Sequence, residues 1–410
     1  MTTVEAREAV TRAHHEEWAW VVAALTRRFG DLDIAEEATA EAFATAVERW
    51  PADGVPPNPG AWLTTTANRK AIDRIRRENK RDDRQREAHM LHDDDPPGPP
   101  GAIDDDRLRL IFTCCHPALA METRLALTLR MVAGLTVPEI ARAFLVQETA
   151  MGQRITRAKA KIKAARIPYR VPSAEDLPAR VSGVLTVLFL VFNEGYLATG
   201  PGTDPVRHDL TGEAIRLTRL IRALMPDDGE VAGLLALMLL IEARGAARVS
   251  ASGELVTLDE QDRGAWDAAL IAEGHQLVRE RLAARVAPGR YQILAAINAV
   301  HTSARDIRDT DWAQILALYD QLARLDPSPV IALNRAIAVA ELDGPEVALA
   351  VIDRLADGLA GYHAYHAARA DLLRRLGRNQ ESRAAYDRAI ELAGNTAETA
   401  YLTRRRDQLG

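Results

Sequence analysis

Several residue types are scarce in this chain of 410 residues, and each scarcity excludes a class of protein. Cysteine occurs only twice, at the neighbouring positions Cys114 and Cys115, which cannot form a loop-closing disulfide. A reducing compartment is therefore expected. Aromatic residues make up 5% of the chain, against 47% for all hydrophobic residues. Together with abundant alanine and leucine, this balance favours packed helices over sheets, and the sequence predicts an all-α fold.

Long apolar runs are also missing. The two longest, 184–192 and 231–241, are too short to cross a bilayer. No basic segment followed by an apolar one opens the chain, so a leader is not expected. These observations predict a soluble cytoplasmic protein that does not enter a membrane.

Positive charge is not in excess either, because the chain carries 52 lysines and arginines against 58 aspartates and glutamates. A net charge of −6 would normally argue against a nucleic-acid partner. The charges are segregated, however: cations concentrate in two short segments, and acids fill a linker and the faces of other helices. Since local charge governs electrostatic binding, DNA stays a candidate partner.

The second cationic segment has the pattern of a helix-turn-helix. An amphipathic helix over 135–144 is followed by a tight turn and by a second helix that runs to Lys163, with no acid after Glu148. Such a second helix can lie in the major groove of DNA, with its first residues at base edges and its later ones at phosphates. The segment therefore predicts DNA binding.

The first cationic segment, 61–86, predicts a helix with one apolar and one cationic face. The inner face consists of Ala67, Ala71, Ile72 and Ile75. An aromatic residue, Trp62, stands near the start of the helix. A solvated charged helix would show the same pattern. Because a helix-turn-helix follows on the same chain, we favour DNA binding, with phosphate contacts for affinity and a pocket for an unstacked base.

Composition divides the chain into four parts. Residues 1–86 form a first small helical domain, 87–106 an acidic proline-rich linker, 107–170 a second small domain that ends in the helix-turn-helix, and 179–410 a helical extension. The linker cannot bury surface or continue a helix. It is either a plain spacer or a nucleic-acid mimic that threads a positively charged channel.

The extension shows an internal repeat. Its alanine- and leucine-rich helices are separated by short breaks of Gly, Pro and Asp. Four residues recur 34 positions later: Ala336, Leu342, Ala350 and Asp353 reappear as Ala370, Leu376, Ala384 and Asp387. This is the period of tetratricopeptide (TPR) helix pairs, so the sequence predicts a TPR-like helical repeat domain.

Residues able to carry chemistry are few. Cys114, Cys115 and His116 could bind zinc or sense oxidants, but adjacent cysteines ligate one tetrahedral ion poorly, and helix-end packing is expected instead. The segment 193–196, Asn-Glu-Gly-Tyr, either lines a ligand site or simply ends a helix. The sequence contains no Ser/His/Asp set, glycine-rich phosphate loop or metal-ligand cluster, so no enzyme, cofactor or metal is predicted.

The order of these parts resembles the two-domain extracytoplasmic-function (ECF) sigma factors of bacterial RNA polymerase. The resemblance rests on Glu36-Glu37 through Glu41-Ala42-Phe43, on Ala61-Trp62-Leu63, on the run 71–77 and on the helix-turn-helix, which occur in this order within residues 1–170. The remainder resembles the long helical extension of one subgroup of that family, to which the segment 112–117 is similar.

The resemblance implies two small helical domains that bind polymerase and DNA, followed by the helical repeat. The helix 34–50 would dock on the coiled coil of the largest polymerase subunit, through Glu36, Glu37, Glu41 and Phe43. The helix 62–77 would capture the minus-ten promoter element and help to melt it, with a flipped base near residues 67–70. Its implied contacts are Trp62, Asn68, Arg69, Lys70, Asp73, Arg74, Arg76 and Arg77.

The helix 149–163 would, by the same resemblance, read the minus-thirty-five element. Thr149 and Gln153 would lie nearest the bases. The implied phosphate and base contacts are Arg154, Arg157, Lys159 and Lys161. The implied partners are promoter DNA and core RNA polymerase, the latter through its coiled coil and its flap. The extension would tune the activity, and an intramolecular contact between it and the sigma domains stays open.

Two other functions fit parts of the sequence. A stand-alone helix-turn-helix regulator with a ligand- or protein-sensing repeat domain would leave the acidic helix 34–50 and the Trp62 helix without a role. An enzyme built on the C-terminal helices would lack any recognisable catalytic set. Binding to core polymerase separates a sigma factor from a stand-alone regulator, and a turnover assay addresses the enzyme.

Overall fold

The computed structural model describes residues 3–82, 106–144, 146–197, 206–250 and 254–409. Regular structure in these ranges is helical, apart from an isolated β-bridge between Val249 and Leu255. The predicted all-α fold class is therefore confirmed. The chain divides into two compact units, Met1–Val187 and Leu188–Gly410.

The first unit begins with a three-helix bundle. Its members are α1 (Thr3–Phe29), α2 (Leu32–Asp53) and α3 (Pro59–Asp82), and each packs against the other two. The side chain of Asp31 caps α2, because its Oδ1 accepts hydrogen bonds from the backbone N–H groups of Asp33 and Ile34 at 2.9 and 3.2 Å. Buried alanines at positions 35, 38, 42 and 46 let α2 pack closely in the bundle.

Helix α2 is longer than the sequence predicts. Prolines at 51, 56, 57 and 59 predict a loop over 51–60, but the helix continues through Pro51 to Asp53 and the loop shortens to 54–58. Pro51 removes one backbone donor, and the helix ends two residues later. Gly54, with a φ of 85°, then ends the helix by donating its N–H to the Trp50 carbonyl at 3.0 Å.

Four shorter helices complete the second half of this unit. They are α4 (Asp106–Cys114), α5 (Met121–Met131), α6 (Val137–Ala143) and α7 (Glu148–Ala164). A capping box starts α6: the Thr136 N–H donates to Glu139 Oε2 at 2.7 Å, and the Glu139 N–H donates to the Thr136 hydroxyl at 3.4 Å. One face of α7 is buried through Met151, Ile155, Ala158 and Ile162. The predicted helix-turn-helix is thus formed by α6 and α7.

The adjacent cysteines lie at the end of α4 and are buried free thiols. Burial raises the pKa of Cys114 well above its ordinary value and raises that of Cys115 to about 11, so both thiols are protonated near neutral pH. The sulfur of Cys115 lies 3.4 Å from the hydroxyl oxygen of Thr128. These contacts agree with the predicted role of the pair in helix-end packing.

Helix α8 (Leu177–Tyr196) contains the boundary between the two units. Among the described helices, it alone is long and apolar enough to cross a membrane by length and composition. The apolar run 184–192 is only part of this helix, which begins at Leu177 and ends at Tyr196. Buried side chains at Val184, Leu188 and Phe192 give α8 the one-sided pattern that is also typical of a core helix.

Besides three short 3-10 helices, the second unit continues with eleven further α-helices in its described part. They are α9 (His208–Leu224), α10 (Gly229–Glu242), α11 (Ala268–Ala283), α12 (Arg290–Ser303), α13 (Trp312–Leu325), α14 (Pro329–Leu342), α15 (Pro345–Asp353), α16 (Ala356–Leu359), α17 (His363–Arg375), α18 (Asn379–Leu392) and α19 (Thr396–Asp407). Helix α10 is buried on all sides, as its unbroken apolar sequence requires.

The predicted 34-residue repeat is present in the last helices. Helices α14 and α17 begin 34 residues apart, and so do α15 and α18. Ala336 and Ala370, the matched small residues, are both fully buried in one hydrophobic cluster with Tyr386 and Ala389. Small residues at these positions let the paired helices approach closely, which is the packing expected of such repeats.

Candidate nucleic-acid interface

The cationic face of α3 is held outward by its apolar face. Leu63, Ala67 and Ala71, spaced four residues apart, are fully buried in the three-helix bundle. Three of the predicted minus-ten contacts, Arg69, Arg76 and Arg77, are exposed on the other side. A further predicted contact, Trp62, is half-buried, and its ring meets the Trp50 ring edge to face at 5.6 Å.

Two predicted minus-ten cations pair with two predicted polymerase-binding acids. Arg74 forms an ion pair with Glu37, and Lys70 lies 3.8 Å from Glu41. The paired side chains are 32–44% exposed, so each pair contributes about 1 kcal/mol or less. Because these pairs are weak, another charged partner can replace either member at little cost.

Asn68, another predicted minus-ten contact, carries an unsatisfied polar atom. Its Oδ1 is buried and has no hydrogen-bond partner in the part of the chain that the structure describes. A buried acceptor without a donor is costly, and a ligand that brings an amino group would relieve that cost. Asp73 is exposed one turn further on, and its backbone carbonyl accepts a hydrogen bond from Arg77 Nε at 3.3 Å.

The solvent face of α7 carries three of the predicted minus-thirty-five contacts in one line. Thr149, Gln153 and Arg157 are exposed and are spaced four residues apart, which places them on one side of the helix. Arg154 is half-buried. Lys161 is exposed, and its Nζ donates to the Ala118 carbonyl at 2.5 Å. These residues give the solvent face of α7 a polar and cationic character.

Lys159 does not lie on that face. It is 8% exposed, its Nζ donates to Asp33 Oδ1 at 2.8 Å, and it forms an ion pair with Glu36. Glu36 is 7% exposed and also accepts from Arg130 Nε at 2.5 Å. We refer to Asp33, Glu36, Arg130 and Lys159 as the buried ion cluster. Burial alone would lower the pKa of Lys159, but the charges of Glu36 and Asp33 outweigh it, and the pKa is raised.

Further contacts join the same helices. Trp18 Nε1 of α1 donates to the Met131 carbonyl at 3.1 Å, and Lys163 Nζ of α7 donates to Asp31 Oδ2 at 2.9 Å. Gly134, with a φ of 78°, allows a close approach, because a Cβ there would lie 2.8 Å from the Trp18 ring. The helix-turn-helix half of the first unit is thus docked on its three-helix bundle.

Phe43 lies in the core rather than on a docking surface. It is 6% exposed, and its ring lies 5.0 Å from that of His14 and 5.8 Å from that of Trp18. Its apolar side chain is retained inside the bundle because burial removes it from water. Any influence of Phe43 on polymerase binding would therefore act through the position of α2.

Some predicted features fall outside the described residues. These are the linker 87–106 apart from Asp106, and the cations Arg84 and Arg86. Conversely, Asp33 and Arg130 take part in the buried ion cluster, but no sequence motif predicts that they do. Arg130 and Glu36 stand 94 residues apart, and no local pattern relates them.

Comparison with known families finds matches in three separate stretches of the chain. Residues 15–81 match the family described as sigma-70 region 2, and residues 109–162 match sigma-70, region 4. Residues 180–282 match a family of unknown function (DUF6596). The first match contains α2 and all but the last residue of α3, the second contains α6 and most of α7, and the third lies in the extension.

Two kinds of relative are similar to the chain. An uncharacterized protein (R00370) of Rhizobium meliloti is 46% identical over 399 residues, which cover 94% of this chain and 92% of that protein. A probable ECF RNA polymerase sigma factor, SigI, of Mycobacterium tuberculosis is 28% identical over 201 residues, which cover 46% of this chain and 67% of that protein. The similarity to the first therefore extends through the extension.

Proposed function

Because this chain belongs to the ECF family of sigma-70 factors and carries a helical C-terminal extension, we propose that it binds core RNA polymerase and selects the promoters that the polymerase transcribes. Polymerase performs the nucleotidyl transfer, so this chain supplies sequence choice and strand capture. The observation that carries the proposal is that matches to sigma regions 2 and 4 occur in one chain, and that α3 and α7 within them each expose a cationic face. A sigma factor of this kind acts in the cytoplasm.

Helix α3 captures the minus-ten element in this proposal. Arg69, Arg76 and Arg77 contact phosphates, and Trp62 offers a face on which a base can stack. The unpaired Oδ1 of Asn68 supports a base pocket, since an exocyclic amino group would satisfy it. These contacts must offset duplex stacking of about 1.4 kcal/mol per step for the melted strand to be held.

Helix α7 reads the minus-thirty-five element. The exposed line of Thr149, Gln153 and Arg157 enters the major groove, with the first two near base edges and Arg157 at a phosphate. Arg154 and Lys161 flank this line and add positive charge. The apolar opposite face anchors the helix, so the line is presented rigidly.

Helix α2 docks on polymerase through its acids. Glu37 and Glu41 hold only weak, partly exposed ion pairs, so a basic surface on polymerase can compete for them. Glu36 and Lys159 are paired with each other, so neither can meet polymerase or DNA until the buried ion cluster opens. Since separating buried charges is costly, the binding partners must supply replacement charges. The packing of the helix-turn-helix half on the three-helix bundle is therefore a closed state of the free factor.

The proposal is tested by transcription in a defined system with core polymerase. Arg76→Ala with Arg77→Ala removes two exposed cations from α3, and we expect weaker open-complex formation with a smaller salt dependence. The matched control, Arg27→Ala with Arg28→Ala, removes two exposed cations from α1 and should leave both quantities near those of the unmodified chain. Equal open-complex formation by the two double variants would refute the role of α3 in holding the minus-ten element. If the unmodified chain does not bind core polymerase, the proposed sigma-factor function is refuted.

A further inference from the structure

Three segments of the second unit converge at the C-terminal ends of α10 and α12. The Asp267 N–H, just after a short 3-10 turn, donates to the Ala243 carbonyl at the end of α10, at 2.8 Å. In that turn, Arg263 Nη1 donates to the His301 carbonyl at 2.8 Å. Arg244 Nη2, in turn, donates to Asn298 Oδ1 of α12 at 3.0 Å. Arg244, Arg263 and His301 are thereby held at one place by residues far apart in the chain.

Neither of the two arginines has a direct carboxylate partner within the described part of the chain. Arg244 is 9% exposed, while Arg263 is partly exposed and so borders solvent. In the ranges that the structure describes, neither arginine forms an ion pair with a carboxylate. Of the acids nearby, Asp306 holds Arg308 at 2.8 Å and Glu242 holds His208 at 3.1 Å. Asp306 and Asp309 act on Arg263 through their charge without a direct ion pair. Arg244 is therefore a buried charge without a direct anion among the described residues, and such burial costs several kcal/mol.

Polar atoms of these residues and of their neighbours in sequence are left without a partner in the described ranges. The buried polar atoms without a partner among the described residues include Arg244 Nε, Arg263 Nη2, His301 Nδ1, Trp266 Nε1 and Thr310 Oγ1. Native proteins leave few buried donors unsatisfied, and a group of them in one region calls for a ligand that accepts. The Trp266 ring lies under the Arg263 guanidinium, 4.6 Å from ring centre to Cζ, and fixes its plane.

We propose that Arg244, Arg263 and His301 form a binding site for a small anion with a carboxylate or phosphate group. Guanidinium groups present paired N–H donors that match the oxygens of such anions. The indole N–H of Trp266 and the hydroxyl of Thr310 can complete the shell. The ligand is small because Arg244 is nine-tenths buried and out of reach of a duplex or of a folded partner. Occupancy ties α10, the 3-10 turn and α12 together, so it stiffens the start of the extension.

The test uses the full chain with inorganic phosphate and with succinate, each titrated at constant ionic strength against chloride. Thermal unfolding and isothermal titration calorimetry should both report saturable binding, with a melting temperature several degrees higher at about 100 times the dissociation constant. Binding that is specific to one of the two probes supports the site and identifies the anion as a phosphate or a carboxylate.

Variants locate the binding. Arg244→Gln and Arg263→Gln should each weaken the affinity by about tenfold or more, the loss expected for a charged hydrogen bond. Two controls should bind the anions as tightly as the unmodified chain does. They are Arg324→Gln, which changes an exposed arginine of α13, and the Arg76→Ala/Arg77→Ala variant of α3. The second control shows whether the measured binding includes phosphate held by the exposed cations of α3.

The proposal does not depend on sigma activity and can fail separately from it. It is overturned if neither anion changes the melting temperature of the unmodified chain, or if both Gln variants bind as tightly as that chain. Arg244→Met gives a further check. If this variant raises the melting temperature by the same amount with and without phosphate, the proposal is overturned, because that result is expected when the buried cations only repel each other. The titration of the unmodified chain decides the matter even if a variant fails to fold.

Discussion

At the residue scale, the carboxylate of Glu36 shows that burial determines how much a charged side chain contributes to stability. In the sequence, Glu36, Glu37 and Glu41 form one acidic group on α2. In the structure, Glu37 and Glu41 lie at the surface, whereas Glu36 lies between Arg130 and Lys159 and is 7% exposed. Breaking a buried pair by removing one partner leaves an uncompensated charge, which is far more costly than losing a surface pair.

Glu36→Gln should therefore destabilise the first unit by about 3 kcal/mol, since Arg130 loses its carboxylate and Lys159 keeps only Asp33. The measurement is the midpoint of urea unfolding, followed by a probe in the first unit. Glu37→Gln is the matched control, with an expected loss below about 1 kcal/mol, because its pair with Arg74 is partly exposed. Equal losses for the two variants would show that the buried ion cluster contributes no more than a surface pair.

The raised pKa of Lys159 gives a second prediction at this scale. A lysine whose folded pKa lies above its ordinary value of 10.5 stabilises the fold fully below that value, and the stabilisation is lost as the pH rises through the raised pKa. Unfolding midpoints of the unmodified chain and of Lys159→Met should therefore differ most near neutral pH and converge as the pH rises through the raised pKa of Lys159. A difference that stays constant with pH would contradict the assignment.

At the element scale, helical periodicity predicted most helices and the helix-turn-helix, because both depend on local patterns. The apolar residues Met151, Ile155, Ala158 and Ile162 identify the inner face of α7 without reference to any other element. The position of Lys159 could not be predicted in the same way. It follows directly after Ala158, at the edge of the inner face, and its burial depends on Asp33, which lies 126 residues away. The same reason explains why Arg130 was missed.

The two faces of α7 lead to a prediction about minus-thirty-five recognition. Arg157 is exposed in line with Thr149 and Gln153, so Arg157→Ala should weaken promoter binding by the reconstituted holoenzyme and lower its salt slope by about 1. Arg170→Ala removes an exposed arginine beyond the helix and serves as the control. Binding would be measured by titration at several salt concentrations. An unchanged slope for Arg157→Ala would exclude a phosphate contact at this residue.

At the scale of the whole molecule, the boundary between units is the least predictable feature. Prolines at 168 and 172 suggest that the second small domain ends by residue 170, yet the first unit extends to Val187. Arg180 Nη2 donates to the Phe112 carbonyl at 2.5 Å, and Val181 and Val184 are buried. The apolar pattern of α8 predicts that it packs, but a pattern does not specify which neighbours it packs against. The sequence pattern therefore placed the start of α8 in the extension, although residues up to Val187 belong to the first unit.

This boundary determines how the role of the extension should be tested. A chain that ends at Leu197 keeps the contacts of Arg180 with α4, so it should fold, bind core polymerase and show altered transcription. A chain that ends at Pro172 should also bind polymerase, but with a lower melting temperature, because it loses Val181 and Val184 as well. Circular dichroism, polymerase co-purification and transcription in a defined system compare the two with the full chain. If the folded chain ending at Leu197 fails to bind core polymerase, the extension takes part in polymerase binding and does not merely regulate activity.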